Sequence, residues 1–212
     1  MKTCGDSLLV EYPVHPGEGG SIPTSPLHLF VTPVTIETAR IFIAVHHSRL
    51  PYTQVGPWQL AFGVYRGKEL VGTALWHNCS ARGLPQDWRE LRRMAVANGS
   101  PPNTASFMLA QMCRWLRKNT KTEVVISYQD AAVHRGTIYK AAGWTPVAVS
   151  RPRFRNREPN RVGTNRKYRS DSNGNTPAAS AKIRWQLGLR GQKFEALTPQ
   201  QIHNASLLKP TK

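Results

Sequence analysis

The sequence predicts a mixed α/β (α+β) fold, with helices flanking one central, twisted sheet, and three observations carry that expectation. Val124, Val125 and Ile126 form a β-branched run of the kind that sits in the middle of a sheet. Strand-like runs alternate along the chain with segments whose apolar residues recur at helical spacing, as at Leu109, Met112, Cys113 and Leu116. A chain of 212 residues, 40% apolar and 8% aromatic, is long enough for one full core, so one domain with tails is expected. The expected division is a poorly ordered arm over 1–26, a core over 27–150, and a basic extension over 151–212 that adds a strand to the sheet.

Taken in order, 1–26 is rich in Pro, Gly and Ser and has no core of its own. Leu27–Val31 alternates as a first strand, and Thr35 can cap a helix running from Ile36 to about His47. That helix ends on His46 and His47, where the negative end of its dipole favours an imidazolium, either as a simple dipole partner or facing a cleft. Trp58–Tyr65 and Glu69–Trp76 read as a hairpin turned by Arg66-Gly67-Lys68, with Gly63 and Gly72 marking bulges or close packing. Glu90–Ala97 is the next strand, broken by Asn98-Gly-Ser-Pro-Pro-Asn103 before a helix from about Thr104 to Lys118. The start of such a helix offers backbone amides to an anion, and Ser106 adds a hydroxyl there.

The strand at Val124 ends in Ser127, Tyr128, Gln129 and Asp130, and a corner with His134 leads into a helix over Arg135–Ala142 that carries Tyr139 and is closed by Gly143. A carboxylate, an imidazole and a phenol thus gather near the carboxyl end of a strand, where open α/β sheets bind ligands. The spacing alone equally allows Asp130 to cap the helix and Tyr139 to pack. Thr145–Val149 and Lys182–Leu189 read as further strands, Ser170–Ser180 as a polar linker, and Thr198 as the start of a terminal helix with capping-box spacing.

Charge is the unusual property of this chain. Twenty-nine Lys and Arg against twelve Asp and Glu give +17, which points to a polyanionic partner held in a salt-dependent way. Arg151, Arg153, Arg155, Arg157, Arg161, Arg166, Lys167 and Arg169 face one acid, Glu158, and Phe154 sits among them, a pattern suited to phosphates and a base or sugar ring. No segment has the apolar length of a membrane span and the start lacks a signal-like core, so a cytoplasmic protein with no membrane partner is expected. Cys4, Cys79 and Cys113 are odd in number and far apart, which suits reduced thiols. His46, His47, His77 and Cys79 supply enough ligands for a metal, but their spacing forms no recognised ligand pattern.

The order strand, helix, hairpin, strand-loop-helix, strand, short helix, strand resembles the GNAT acyltransferase fold over roughly 27–149. More locally, SYQDAAVHRGTIYKAAGW, preceded by ELRRMAVA and by HHSR at the end of the first helix, resembles the Mom DNA-modification proteins of Mu-like bacteriophages. That resemblance implies a divergent GNAT enzyme that converts adenine in phage DNA to the N6-carbamoylmethyl form and so protects it from host restriction, with double-stranded DNA as partner and the host cytoplasm as its place of work. It implies catalytic roles for Asp130, Tyr139, His46 and His47, and a donor site that takes in Tyr65 and Ser106 beside Tyr128 and His134. Asp130 is expected to orient the amine or take its proton, and Tyr139 to protonate the leaving group. Where ordinary GNAT enzymes wrap coenzyme A pyrophosphate with a glycine-rich turn, this chain has ANGSPPNTAS, which departs from conventional acetyl-CoA use.

The product supplies a further expectation, because a carbamoylmethyl group on the adenine amine is an isomer of a glycyl group on the same amine. An activated glycine such as glycyl-tRNA is therefore the expected donor, with acetyl-CoA as the rival. tRNA would then be a second polyanionic partner. Iron near the histidines is a further candidate cofactor and a homodimer a candidate assembly. Two other readings stand beside this one: a conventional acetyl-CoA-dependent acetyltransferase, and a nucleic-acid-binding protein without catalysis.

Overall fold

A computed structural model describes residues 28–47, 57–79, 81, 83–151 and 180–208. The elements run β1 (Leu29–Pro33), α1 (Ile36–His46), β2 (Leu60–Arg66), β3 (Glu69–Asn78), β4 (Arg89–Val96), α2 (Thr104–Asn119), β5 (Val124–Asp130), α3 (Thr137–Ala141), β6 (Thr145–Ser150), β7 (Lys182–Gly188) and α4 (Pro199–Leu207). Seven strands form one sheet in the order β1-β2-β3-β4-β5-β7-β6. Neighbours are antiparallel except β4 and β5, which are parallel and pair only at Arg89–Val125, Glu90–Ile126 and Leu91–Ser127. Past Leu91 and Ser127 the two strands no longer pair with each other, although β4 still pairs with β3 and β5 with β7, which splits the sheet at this point.

Local chemistry explains the elements. Thr35 caps α1 by accepting from the Thr38 amide, and Thr198 and Gln201 form the capping box of α4. Gly143 closes the turn after α3 at φ 78°, a left-handed backbone that suits glycine. The hairpin of β2 and β3 carries a register shift between Val64 and Tyr65, opposite Gly72. α3 is shorter than the sequence pattern implies, because its cap is Gly136 in the left-handed region; His134 and Arg135 therefore stay in the preceding turn. Asp130 is the last residue of β5 and does not cap α3. β1 starts at Leu29, since the next apolar positions pair with β2 as far as Pro33–Phe62.

Two apolar clusters lie on opposite faces of the sheet. α1 packs on β2, β3 and β4 around Ala39, Phe42, Ile43, Ala61, Leu75 and Ala95. The larger cluster brings α2, α3 and α4 onto the other face, around Trp76, Met108, Leu109, Met112 and Trp185. Among the described residues no helix covers the α1-side face of β5, β7 and β6. No described helix is long and apolar enough to cross a membrane.

Trp185 is the keystone of the larger cluster. It is fully buried, donates from Nε1 to Gln129 Oε1 at 2.7 Å, and stacks on the Tyr139 ring. A Cβ on Gly136, at φ 71°, would overlap Trp185 Cζ2 and Gln129 Oε1. Gly136→Ala is therefore expected to cost roughly 2–5 kcal/mol, combining left-handed strain with overpacking of a buried ring. Gly67→Ala, at φ 58° with open space around it, should cost only about 1–2 kcal/mol. Urea denaturation followed by tryptophan fluorescence measures both, and equal losses would remove Trp185 from the explanation.

Candidate active site

The cleft between β4 and β5 collects the first group of site residues. Alternation along β5 turns Ser127 toward α3, where its Oγ donates to the Leu91 carbonyl at 3.1 Å and lies 2.9 Å from the Tyr139 hydroxyl. Leu91 and Ser127 are the last pair before the strands part, so the phenol sits at the apex of the split. Its ring is held between Trp185, stacked at 5.3 Å, and Trp144, tilted at 5.6 Å. Burial pushes the Tyr139 hydroxyl above its ordinary value, against the opposing pull of the Ser127 bond. The group keeps its proton at neutral pH and is suited to give it to a developing anion.

Beside this pair is a cavity of about 260 Å³, walled by Val96, Ser100, Asn103, Ser106, Thr137 and Ile138. It lies against the N-terminus of α2, a 16-residue helix with the left-handed Asn103 as its cap. The Thr104 and Phe107 amides bond to Pro101 and Asn103, leaving the Ala105 and Ser106 amides without a carbonyl among the described residues. Ser106 Oγ turns back to donate to the Asn103 carbonyl at 3.0 Å. Pro101 and Pro102 bring no amide donor, so this turn offers an anion fewer amides than a glycine-rich turn would.

A second group lies on the opposite face. The Asp130 carboxylate accepts from Ser180 Oγ at 2.6 Å and the Ala132 amide at 3.2 Å, and pairs with Lys182 Nζ at 2.5 Å. Burial alone would raise this carboxyl, but the Lys182 and Ser180 hydrogen bonds and the Lys182 charge outweigh it and hold it below the usual range. A carboxylate so stabilised orients a neighbour well and is a weak base, which favours the first of the two roles expected for it. Tyr128 pairs with Arg184 across β5 and β7, and burial raises its hydroxyl. Nearby, Glu90 accepts from Arg92 at 3.2 Å with His77 Nε2 at 3.9 Å, and burial lowers His77 so that it is neutral at neutral pH.

The other sequence candidates are placed less uniformly. Tyr128 faces the sheet side away from this cavity, because adjacent residues of a strand point oppositely. Tyr65 stacks on Phe30 at 5.2 Å in the β1–β2 edge, two strands from β4, so it is structural there. His134 is exposed in the turn after β5. His46 is exposed with its ring 4.2 Å from Phe42, and His47 is the C-cap of α1, so both mark one helix end. Arg151 is exposed at the end of β6, while Arg153, Arg155, Arg157, Arg161, Arg166, Lys167 and Arg169 lie outside the described residues. No group of three or more His, Cys, Asp or Glu among the described residues is placed to hold a metal, so the iron expectation gains no support. Burial raises the Cys79 and Cys113 thiols to about 12, which makes both poor ligands and nucleophiles.

Sequence reasoning missed two residues. Ser127 was read only as part of the strand, although its period-two position predicts the face it shares with Tyr139. Arg93 is buried at 7% exposure with Nε and one terminal nitrogen lacking acceptors, and its Nη1 donates to the Arg92 carbonyl at 2.7 Å. It lies on β4 just past the split, where two open guanidinium N–H groups suit an anion or a carbonyl oxygen. The sequence signal was weak, because ELRRMAVA presents two adjacent arginines and a register shift decides which turns inward.

Acid weakens this site by two routes with the same sign. The Asp130 contribution is present above the ordinary value of 3.8 and is lost as pH falls through the lower folded value; for His77 the unfolded chain takes its proton first, so stability falls as pH drops through 6.5. Lys182→Met leaves the burial but removes the ion pair, and is expected to raise the Asp130 carboxyl and move the acid limb of stability to higher pH. Urea midpoints measured across pH read that limb; an unchanged limb would mean that the Lys182 pair does not set it.

The comparisons with known proteins fit this geometry. No curated protein matches the sequence. The chain is similar in structure to a ribosomal-protein-S18-alanine N-acetyltransferase from Escherichia coli, with a TM-score of 0.52 and 12% identity over 80% of this chain and 99% of that one. It is similar to a Bacillus subtilis acetyltransferase in complex with CoA, with a TM-score of 0.51 and 11% identity over 76% and 97%. A ribosomal-protein-S5-alanine acetyltransferase from Vibrio fischeri gives 0.51 and 12% over 78% and 96%. At such identities these likenesses establish a GNAT fold and nothing about substrate. The Mom protein family matches residues 28–198. A split parallel pair, a buried tyrosine at its apex and a match over most of the chain lead to one assignment: this chain belongs to the Mom protein family, with a divergent GNAT fold.

Proposed function

We propose that the chain is an acyltransferase that modifies adenine in DNA, transferring a glycyl group from an activated glycine such as glycyl-tRNA to the exocyclic amine. The observation that carries this reading is the Tyr139–Ser127 pair at the apex of the β4–β5 split, next to a helix start suited to one phosphate. A tRNA 3′ end brings an ester next to a single phosphate, which suits that turn better than a pyrophosphate does. The +17 charge accommodates DNA and tRNA together. The likeness to an acetyltransferase holding CoA favours an acetyl donor instead, and the broken turn weighs against it.

The chemistry balances on these residues. Adenine in a duplex must first leave the stack. Its N6 lone pair attacks the ester carbonyl, forming a C–N bond while the carbonyl π pair moves to oxygen; the role assigned to Arg93, whose Nε and one terminal nitrogen are buried without acceptors, is to stabilise that oxyanion. Collapse breaks the C–O bond, and Tyr139 gives its proton to the departing ribose oxygen, recovering one from N6 through Ser127 or water. Asp130 orients the amine and stays ionised. The product, N6-glycyladenine, has the atoms of N6-carbamoylmethyladenine, so an intramolecular rearrangement reaches the latter without a further reactant. Carried into phage DNA, that product would protect it from host restriction.

Nucleoside mass spectrometry of DNA from cells expressing the chain on isotopically labelled glycine tests this reading. A modified adenine carrying the whole labelled glycine is expected; an N6-acetyl mass overturns the donor, and unmodified DNA overturns the activity. Asp130→Ala and Tyr139→Phe should lower modification by at least about 100-fold, the scale of a lost acid–base or positioning group, with DNA affinity nearly unchanged. Neutralising Arg151, Arg153, Arg155 and Arg157 should instead weaken DNA binding and flatten its salt dependence. Equal loss of DNA binding in every variant would defeat these roles.

A further inference from the structure

The α1-side face of β5 and β7 carries three rows of paired residues: Ile126–Gln186, Tyr128–Arg184 and Asp130–Lys182. Tyr128 is met by a hydrogen bond with Arg184 and Asp130 by Lys182. Gln186 is not. It is 3% exposed, its Nε2 is buried without an acceptor, and its amide makes no hydrogen bond among the described residues. Arg184 Nε, one row on, is also buried without an acceptor. An apolar side chain would fill the Gln186 position without desolvating an amide, so partnerless donors on adjacent rows point to a polar ligand that completes them.

The chemistry of that ligand follows from the amide. A glutamine presents an acceptor and a donor side by side, the complement of an adenine edge, where the N6 amine lies beside the N1 or N7 acceptor. Thymine and guanine present the reverse order on the pairing edge, while cytosine shares adenine's order there with a smaller ring. Tyr128, half-buried in the next row, offers a ring against which an extruded base can lie, and Arg184 Nε a further donor. Glu90 lies in the Gln186 row, on the near side of Ile126, so this row borders the last paired residues of β4 and β5, with Ser127 and Tyr139 on the opposite face.

We propose that Gln186, framed by Tyr128 and Arg184, reads the edge of an extruded adenine on the sheet face opposite the donor cavity. Oε1 accepts one N6–H and Nε2 donates to N1 or N7, which leaves the N6 lone pair for the acyl carbon at the split. Gln186 is thus a specificity-determining residue, and this assignment rests on the adenine-transfer reading above.

The test needs no donor and no turnover. Fluorescence anisotropy at one salt concentration compares duplexes with a single bulged adenine, thymine, or purine lacking the exocyclic amine. The full chain should bind the bulged adenine about tenfold more tightly than the other two, the scale of one bidentate base contact. Gln186→Leu should erase that preference and leave affinity for the thymine bulge unchanged. Because the amine-free purine is tested on the unaltered chain, the outcome does not depend on how well the variant folds. Equal binding of adenine and amine-free purine, or a preference that survives in Gln186→Leu, overturns the assignment. If modified adenine forms in cells without any such preference, this inference fails alone. If the preference is found and lost as expected while DNA stays unmodified, the Gln186 assignment stands and the transfer reading fails.

Discussion

The packing of Trp185 against Tyr139 is the contact on which the rest of the site depends. Trp185 comes from β7, late in the chain, and reaches the helix that follows β5 only because β7 inserts between β5 and β6. Stacking at 5.3 Å fixes the plane of the phenol, Trp144 closes its other side, and Ser127 receives the hydroxyl. Removing such an indole from a buried position typically costs about 3–5 kcal/mol. The indole also sets the glycine at 136, since no side chain fits between the ring and the start of α3. Stability and placement of the acid are therefore one interaction.

Strand alternation sorts the chemistry of β5 by face. Ser127 turns toward α3 and the donor cavity, while Tyr128 and Asp130 turn toward β7 partners on the other side. The parallel pair of β4 and β5 separates after three residue pairs, which splits the sheet between the two faces' groups. On the proposed reading, an acyl group arrives from the α2–α3 side and the amine from the α1 side, on the two faces of this split.

Electrostatics reinforces this division. On the donor face the tyrosine is nearly neutral-locked by burial, and the anion-binding capacity comes from helix amides that no pH change can remove. On the other face charges are present and paired, Asp130 with Lys182 and Glu90 with Arg92, so the surface can meet a polyanion without exposing bare carboxylates to it. The thiols of Cys79 and Cys113, raised by burial, stay outside the chemistry.

Much of this protein is determined by the sequence alone, wherever the cause is local. Helix caps at Thr35 and Thr198, the hairpin turn at Gly67 and the β-branched run at Val124 depend on neighbours in the chain, and the elements follow them closely. Asp130 and Tyr139 were legible as a strand end and the helix that follows it, but not their separation onto opposite faces of the sheet. Tyr65 and Tyr128 were not, since membership of a strand says nothing about distance across a sheet or about which face is turned to a ligand until register is set. Only the tertiary structure decided that β7 enters between β5 and β6, bringing Lys182 to Asp130, Trp185 to Tyr139 and a partnerless Gln186 beside them. Those contacts join residues some fifty positions apart, and long-range pairing of that kind is settled by packing of the whole core, which no window of sequence contains.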